Sequence, residues 1–383
     1  MELDFDSDQE ALRDSVRAFL AVECPIAAVR EIVETRISGG QIEPTPLHAK
    51  MSDLGWPALT VPEAAGGLGL GAIELALVAE ELGRALAPGP LFTTMTQFVP
   101  VLAELGSPEQ IVTFLGPVAS GETSGTLAIA EATGSVDPAM TTAIATPSST
   151  GFTITGTKHL VMEPAANGSI VVVARLPDTE GDDGVGAFVV PASRVLIDPI
   201  DSVDPSRRLA TLTLDAVAVA GAGDHTLGDP GPGTAAALRR AVQSGTVGLA
   251  LDAVGAAQQL FDVSLEYVKQ REQFGVPIGS FQAIKHKFAD MLILLERARA
   301  LSYFAALTIA EDDPRRALAT AMAKAAAGDA VSRIAKEAIQ VHGGIGYTWE
   351  SDVHLYVRRV ESDAVLFGTA QQHRQTVADL IGV

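Results

Sequence analysis

The hydrophobic period of this 383-residue chain changes twice, and that alone narrows the folds open to it. From residue 8 to about 115, apolar residues recur at helical spacing. From Gly125 to about Val219 they alternate or run together in short stretches. From residue 234 onward the helical spacing returns. A segment patterned for one period cannot bury its apolar face in the geometry of the other. The pattern predicts an α+β chain with three blocks: an N-terminal helical domain over 1–115, a middle β domain over 116–222, and a C-terminal helical domain over 230–383.

Local signals fill in each block. In 8–22, Leu12, Val16, Phe19 and Leu20 share one face, and Ser7 stands where an N-cap is expected. A glycine-rich turn over 65–71 precedes a helix over 72–87, stopped by Pro88-Gly89-Pro90. Segments 126–131, 151–157, 169–175, 185–190 and 209–219 read as short strands between turn residues, the spacing of a sandwich or barrel. Residues 220–233 read as a linker. Long helices then cover 234–270, 280–296 and 315–342, and Phe281, Ile284, Phe288 and Met291 mark a buried stripe. Trp56 and Trp349 read as core anchors, and His354, Arg358 and Arg359 as one exposed helical face.

Composition excludes several functions. Forty-seven acidic residues against 27 basic ones give a net charge of −20, so neither nucleic acid nor an anionic membrane surface is an expected partner. No uncharged apolar run approaches the ~20 residues of a membrane span. The N-terminus is acidic, the wrong charge for a secretory signal, so a cytoplasmic location is expected. The single cysteine, Cys24, rules out an internal disulfide and a cysteine-based metal site, and it reads as a small buried apolar side chain.

Three segments carry candidate chemistry. In 266–291 a long helix ends at Arg271, Phe274-Gly275 and a Pro277–Gly279 turn follow, and Ser280 caps the next helix, which holds Gln282 near its start. A guanidinium, an aromatic face and an amide beside a helix N-terminus can hold a nucleotide diphosphate. The same residues also read as a surface arginine and an ordinary capped turn. In 339–349, Gln340 sits in the last turn of a helix, and Gly343-Gly344 leave backbone open to a close ligand or form a simple C-cap. In 366–371, Gly368 starts a turn and Thr369 and Gln371 supply polar groups.

Taken together, and with 62–70 (PEAAGGLGL) and 80–83 (EELG), these segments resemble the acyl-CoA dehydrogenase family across nearly the whole chain. The resemblance implies a helical domain, a β domain and a C-terminal four-helix bundle, with FAD and a dimer-of-dimers assembly. It implies that Arg271, Phe274 and Gln282 hold the FAD pyrophosphate and adenosine of a neighbouring subunit. Gln340, Gly343 and Gly344 would lie on the same cross-subunit surface, and Thr369 and Gln371 in the loop contacting the FAD bound nearby. It implies an acyl-CoA substrate and an electron acceptor such as an electron-transfer flavoprotein. In such enzymes a glutamate removes an α-proton of the thioester while the β-hydride goes to the flavin.

This sequence departs from that pattern where chemistry would occur. The family's glutamate directly precedes the Gly-Thr of the last signature, where this chain has Phe367. The alternative position in the family, ten residues before Gly248, is Leu238, followed by the matching Arg239. Neither side chain accepts a proton, so no catalytic residue is assigned. In the β domain the threonine before the Glu is Ala130, and the family's flavin-contacting Trp and Thr are Leu160 and Met162. The expected reading is a base-lacking subunit that completes the FAD site of a homologous catalytic partner in an α2β2 tetramer. Two alternatives stand beside it: a self-sufficient homotetramer with its base moved to Glu361 or Asp363, and a flavin-free scaffold. No metal site is expected.

Overall fold

The computed structural model describes residues 5–40, 42, 45–220 and 224–383. Helices α1 (Ser7–Glu23), α2 (Ile26–Ile37), α3 (Thr45–Asp53) and α4 (Ala72–Arg84) form the first block. Next, α5 (Leu91–Thr93) runs through a π-helical stretch, Thr94–Phe98, into α6 (Val99–Leu105), and α7 (Pro108–Ala119) closes the block. The cap of α1 is Asp6, not Ser7: the Asp6 carboxylate accepts from the backbone N–H groups of Asp8 and Gln9, and Gln9 answers the Asp6 N–H, a complete capping box. Within the glycine-rich turn, a Cβ on Gly67 would lie 1.9 Å from the Val61 carbonyl oxygen, so only glycine lets these stretches of loop meet.

Strands β1 (Gly125–Ala128), β2 (Ile144–Ser148), β3 (Gly151–Met162), β4 (Ser169–Arg175), β5 (Val185–Pro191), β6 (Leu196–Ile200), β7 (Leu209–Ala220) and β8 (Thr226–Leu227) form one sheet in the order β6-β7-β3-β2-β4-β5-β8, with β1 parallel to β4. β4 is buried on both faces, and its alternation divides two cores. Ile170, Val172 and Ala174 join a cluster to which β1 to β5 and β7 also contribute. Val171 and Val173 face the helices. A cluster fed from so many strands means that the sheet curls around it, as the barrel-or-sandwich expectation required. The sequence pattern missed β2 and β6, whose residues are largely exposed and carry no alternation. Part of the expected linker, 221–223, lies outside the described residues; the remainder holds β8.

The last block begins with α8 (Pro232–Gln270), about 58 Å long at 1.5 Å per residue. A two-residue hairpin, β9 (Glu272–Gln273) and β10 (Val276–Pro277), leads to α9 (Gln282–Ala310), α10 (Arg316–His342), α11 (Val353–Val365) and α12 (Ala370–Ile381). α8 to α11 form the bundle and α12 lies against α10. The N-terminal block is keyed into this bundle by glycines. A Cβ on Gly83 of α4 would meet the Asp252 carbonyl oxygen at 2.0 Å, and one on Gly255 of α8 would meet that of Glu80 at 1.8 Å. Ser280 does not cap α9; its hydroxyl donates to the Pro277 carbonyl, and Phe281 occupies the cap position. Within the expected stripe, Phe288 and Met291 are buried but Phe281 is exposed.

Candidate functional site

The candidate residues fall into two groups in this chain. The first lies at one end of the bundle. The Arg271 N–H donates to Tyr267 O and ends α8; its side chain is exposed, and no carboxylate among the described residues lies within ion-pair reach. Phe274 and Gly275 turn the hairpin with φ of +57° and +80°. Two successive left-handed residues make the turn whose twist matches a right-handed hairpin, though an aromatic residue is rare there. Phe274 is 93% exposed and meets Phe281 edge to face at 6.2 Å. Gln282, exposed, opens α9 beside them.

Residues 340–344 join this end through one stacked pair. Tyr267 and His342 rings lie 4.3 Å apart and 23° from parallel, and the Tyr267 hydroxyl donates to His342 O at 3.4 Å. His342 Nδ1 donates to Ala338 O at 2.8 Å, and burial holds the imidazole below its ordinary pKa, in the neutral form. Gln340, Gly343 and Gly344 are exposed, and a Cβ on either glycine would meet nothing within 4 Å. Gly343 has φ +64° and ends α10.

Thr369 and Gln371 belong to the second group. Thr369 caps α12, its hydroxyl accepting from Gln372 N while the Gln372 carboxamide oxygen accepts from Thr369 N. The start of α12 rests against Gly328, in the middle of α10. Twelve residues of α10 separate Gly328 from Gln340, about 18 Å of helix. One chain therefore does not gather the two groups into a single pocket.

The positions expected to hold a base are apolar and buried. Leu238 is fully buried in α8. Phe367 is 9% exposed and has φ +58°. Its ring edge would lie 3.0 Å from a Cβ on Gly245, a position also bordered by Gln97 and Thr96 of the π-helical stretch. Met162 is on this wall too, its sulfur 3.8 Å from Gln97 Nε2, and the Gln97 carboxamide oxygen is buried without a partner. Leu160 sits at a register slip between β3 and β7, with φ +55° and partial exposure.

Glu361 lies on the exposed side of α11. Asp363 is fully buried in an ion cluster that joins the β domain to the bundle. Arg207 binds Asp363 and, at 3.1 Å, Asp252. Arg359 binds Asp204 at 2.6 Å, Asp252 at 3.3 Å and the Ser206 hydroxyl at 2.7 Å. Burial works to raise Asp252, but the charges of Arg207 and Arg359 outweigh it and hold that carboxyl low. Burial, reinforced by the charge of Asp252, pushes Asp363 well above the ordinary carboxylate range despite Arg207. This corrects the expected exposed face on α11, because Arg359 is entirely buried. Trp349 is corrected the other way: it is 48% exposed, packed against His354 and Arg358, while Trp56 is a core residue. A cavity of about 460 Å³ between α2 and strands β6 and β7 includes none of the candidate residues.

Comparison with known proteins follows the same lines. The family profile described as "Acyl-CoA dehydrogenase, N-terminal domain" matches residues 6–122 and that described as "Acyl-CoA dehydrogenase, C-terminal domain" matches 231–382. Acyl-CoA dehydrogenase IpdE2 of Mycobacterium tuberculosis is 30% identical over 95% of this chain and 94% of its own. The chain belongs to the acyl-CoA dehydrogenase family. Members of the acyl-CoA dehydrogenase family are FAD-dependent oxidoreductases acting on CH–CH bonds, and tetramers are typical of them. Among solved structures, a variant of the Tcur3481-Tcur3483 steroid ACAD is similar at TM-score 0.83 and 29% identity, over 98% of this chain and 97% of that one. The ChsE4-ChsE5 complex from Mycobacterium tuberculosis is similar at TM-score 0.86 and 25% identity, each chain fully covered. Among the described residues no helix is long and apolar enough to cross a membrane.

The exposed platform at the end of the bundle and the positions 160, 162 and 367 fit an acyl-CoA dehydrogenase's FAD unequally. Arg271, the bare Phe274 ring and the open Gly343-Gly344 backbone suit the charged and aromatic parts of a dinucleotide. Leu160, Met162 and Phe367 offer the flavin ring and a thioester no carboxylate and no strong hydrogen-bond donor.

Proposed function

We propose that this chain is the base-lacking subunit of a heteromeric acyl-CoA dehydrogenase, working beside a homologous catalytic subunit in an α2β2 tetramer in the cytoplasm. The observation that carries the reading is the pairing of apolar, buried Phe367 and Leu238 with an exposed Arg271–Phe274–Gln282 platform. FAD, when bound, would accept the hydride from the β-carbon of an acyl-CoA and pass electrons to an acceptor such as an electron-transfer flavoprotein. This chain's part is to bind. Arg271 pairs with the pyrophosphate of the partner's FAD, Phe274 covers its adenosine, Gln282 and Gln340 donate to it, and Gly343 and Gly344 allow close approach. Thr369 and Gln371 belong to the loop that contacts the FAD bound nearby. The partner supplies the glutamate and the flavin-ring contacts. The two heteromeric structures similar to this chain support an assembly of this kind, and one of them is a steroid ACAD, so a steroid-derived acyl-CoA belongs in the substrate panel.

The experiment is purification of the chain alone and with a co-expressed homologous partner, reading flavin per chain and turnover on acyl-CoA thioesters of several lengths. The chain alone is expected to lack turnover and to hold little FAD. The complex is expected to be yellow, with about one flavin per two chains. Full flavin occupancy with turnover by the isolated chain rejects the reading, and a flavin-free complex points to the scaffold.

A further inference from the structure

Phe367 occupies left-handed backbone, φ +58°, where bulky residues are rare. Such a conformation persists only where its surroundings over-determine it, and here the surroundings are a buried ammonium and a half-buried imidazole from two helices. Lys324 of α10 is 1% exposed, and its ammonium donates to the carbonyls of Asp363 at 2.7 Å, Ala364 at 3.2 Å and Gly368 at 3.0 Å. His373 of α12 approaches from the other side, its Nε2 2.9 Å from Phe367 O. A carbonyl only accepts, so Nε2 carries the proton. Burial depresses this imidazole to about 4, which keeps it a neutral donor. Asp363 and Ala364 are among the residues whose carbonyls the end of α11 leaves without helical partners. A buried ammonium needs several acceptors to offset its lost hydration, and this turn supplies three.

We propose that Lys324 and His373 are positioning residues that fix the main chain at 363–368 so that the side chain at position 367 is aimed at the wall formed by Gly245 and Gln97. Every contact in this grip is to a main-chain oxygen, so it acts on whatever side chain stands at 367, ionisable or not. Gly368 is part of the device: a Cβ there would lie 3.0 Å from His373 Nε2. The grip also explains how a phenylalanine without catalytic chemistry is held in a backbone state that it would not choose.

The test places 4-fluorophenylalanine at position 367 of the full chain and reads its fluorine resonance, with the same label at exposed position 274 as reference. One resonance, well separated from the reference, is expected. Lys324→Met and His373→Ala should each move it toward the reference or split it. His373→Gln, whose amide can donate to Phe367 O, should restore it. Loss of stability alone would leave the folded-state shift where it was, so melting curves run in parallel separate the two effects. A resonance unchanged in folded Lys324→Met and His373→Ala overturns the proposal. If Lys324→Met does not fold, the His373→Ala and His373→Gln pair decides it.

Discussion

Replacing Arg359 with methionine should expose how the β domain is held to the bundle. Arg359 has no solvent exposure and binds Asp204, Asp252 and Ser206 at once. Methionine fills similar length but leaves three carboxyl groups, those of Asp204, Asp252 and Asp363, facing one guanidinium, that of Arg207. Removing one partner from a buried ion pair costs about 3–5 kcal/mol, because the remaining charge is uncompensated. At roughly 2 °C per kcal/mol for a large domain, the melting temperature should fall by about 6–10 °C at pH 7–8. The sign of the pH dependence follows from Asp252. Its folded pKa is depressed by Arg207 and Arg359 in the native protein. Asp252 therefore contributes its full share of stability above the ordinary carboxylate range near 3.8 and loses it below, so the deficit should stay constant from pH 8 down to about 4 and shrink as pH falls further. Asp252→Asn added to Arg359→Met should recover part of the loss by removing one stranded charge. Circular dichroism melts across this pH range provide the assay. A deficit below about 1 kcal/mol, or one independent of pH, would refute the claim that this cluster is a charge-balanced interdomain joint.

Other outcomes follow from the same geometry. Glu131 binds buried Lys158 at 2.6 Å, and despite its burial the charge of Lys158 and hydrogen bonds from Thr142 and Ala143 pull its carboxyl down to about 2. Its contribution is therefore complete above about pH 4.5 and fades as pH falls toward 2, so Glu131→Gln should flatten the acid limb of a melting-temperature profile in that window. Gly255→Ala would drive a methyl to 1.8 Å from the Glu80 carbonyl oxygen and should cost about 1–3 kcal/mol or block folding, whereas Gly344→Ala, with nothing within 4 Å, should leave the melting temperature unchanged. Phe274→Ala should change stability by less than about 0.5 kcal/mol, since the ring is 93% exposed, yet lower the flavin content of the co-expressed complex.

Much of the candidate site was legible because its signals are short. The Arg271–Gln282 and Gln340–Gly344 segments each span about a dozen residues or fewer, and the structure sets both at one end of the bundle. The apolar residues at 238 and 367 needed only a count from neighbouring glycines. The misreadings involve longer range. Arg359 looked like half of an exposed Arg358-Arg359 pair because its partners, Asp204 and Asp252, lie more than a hundred residues away. Trp349 looked like a core anchor because size suggests burial, but it sits on a turn outside the bundle, stacked against surface Arg358. Lys324 and His373 carried no signal, since what they bind is main chain, which any sequence would present.

The amino-acid order by itself determined the helix–sheet–helix plan and the family, because hydrophobic period and signature spacing are properties of neighbouring residues. Only the tertiary structure decided which charges are buried and matched, how residue 367 is held, and that the two groups of candidate cofactor residues lie about 18 Å apart in one chain. Those facts depend on which distant segments meet, and burial acts on a side chain only after they have met.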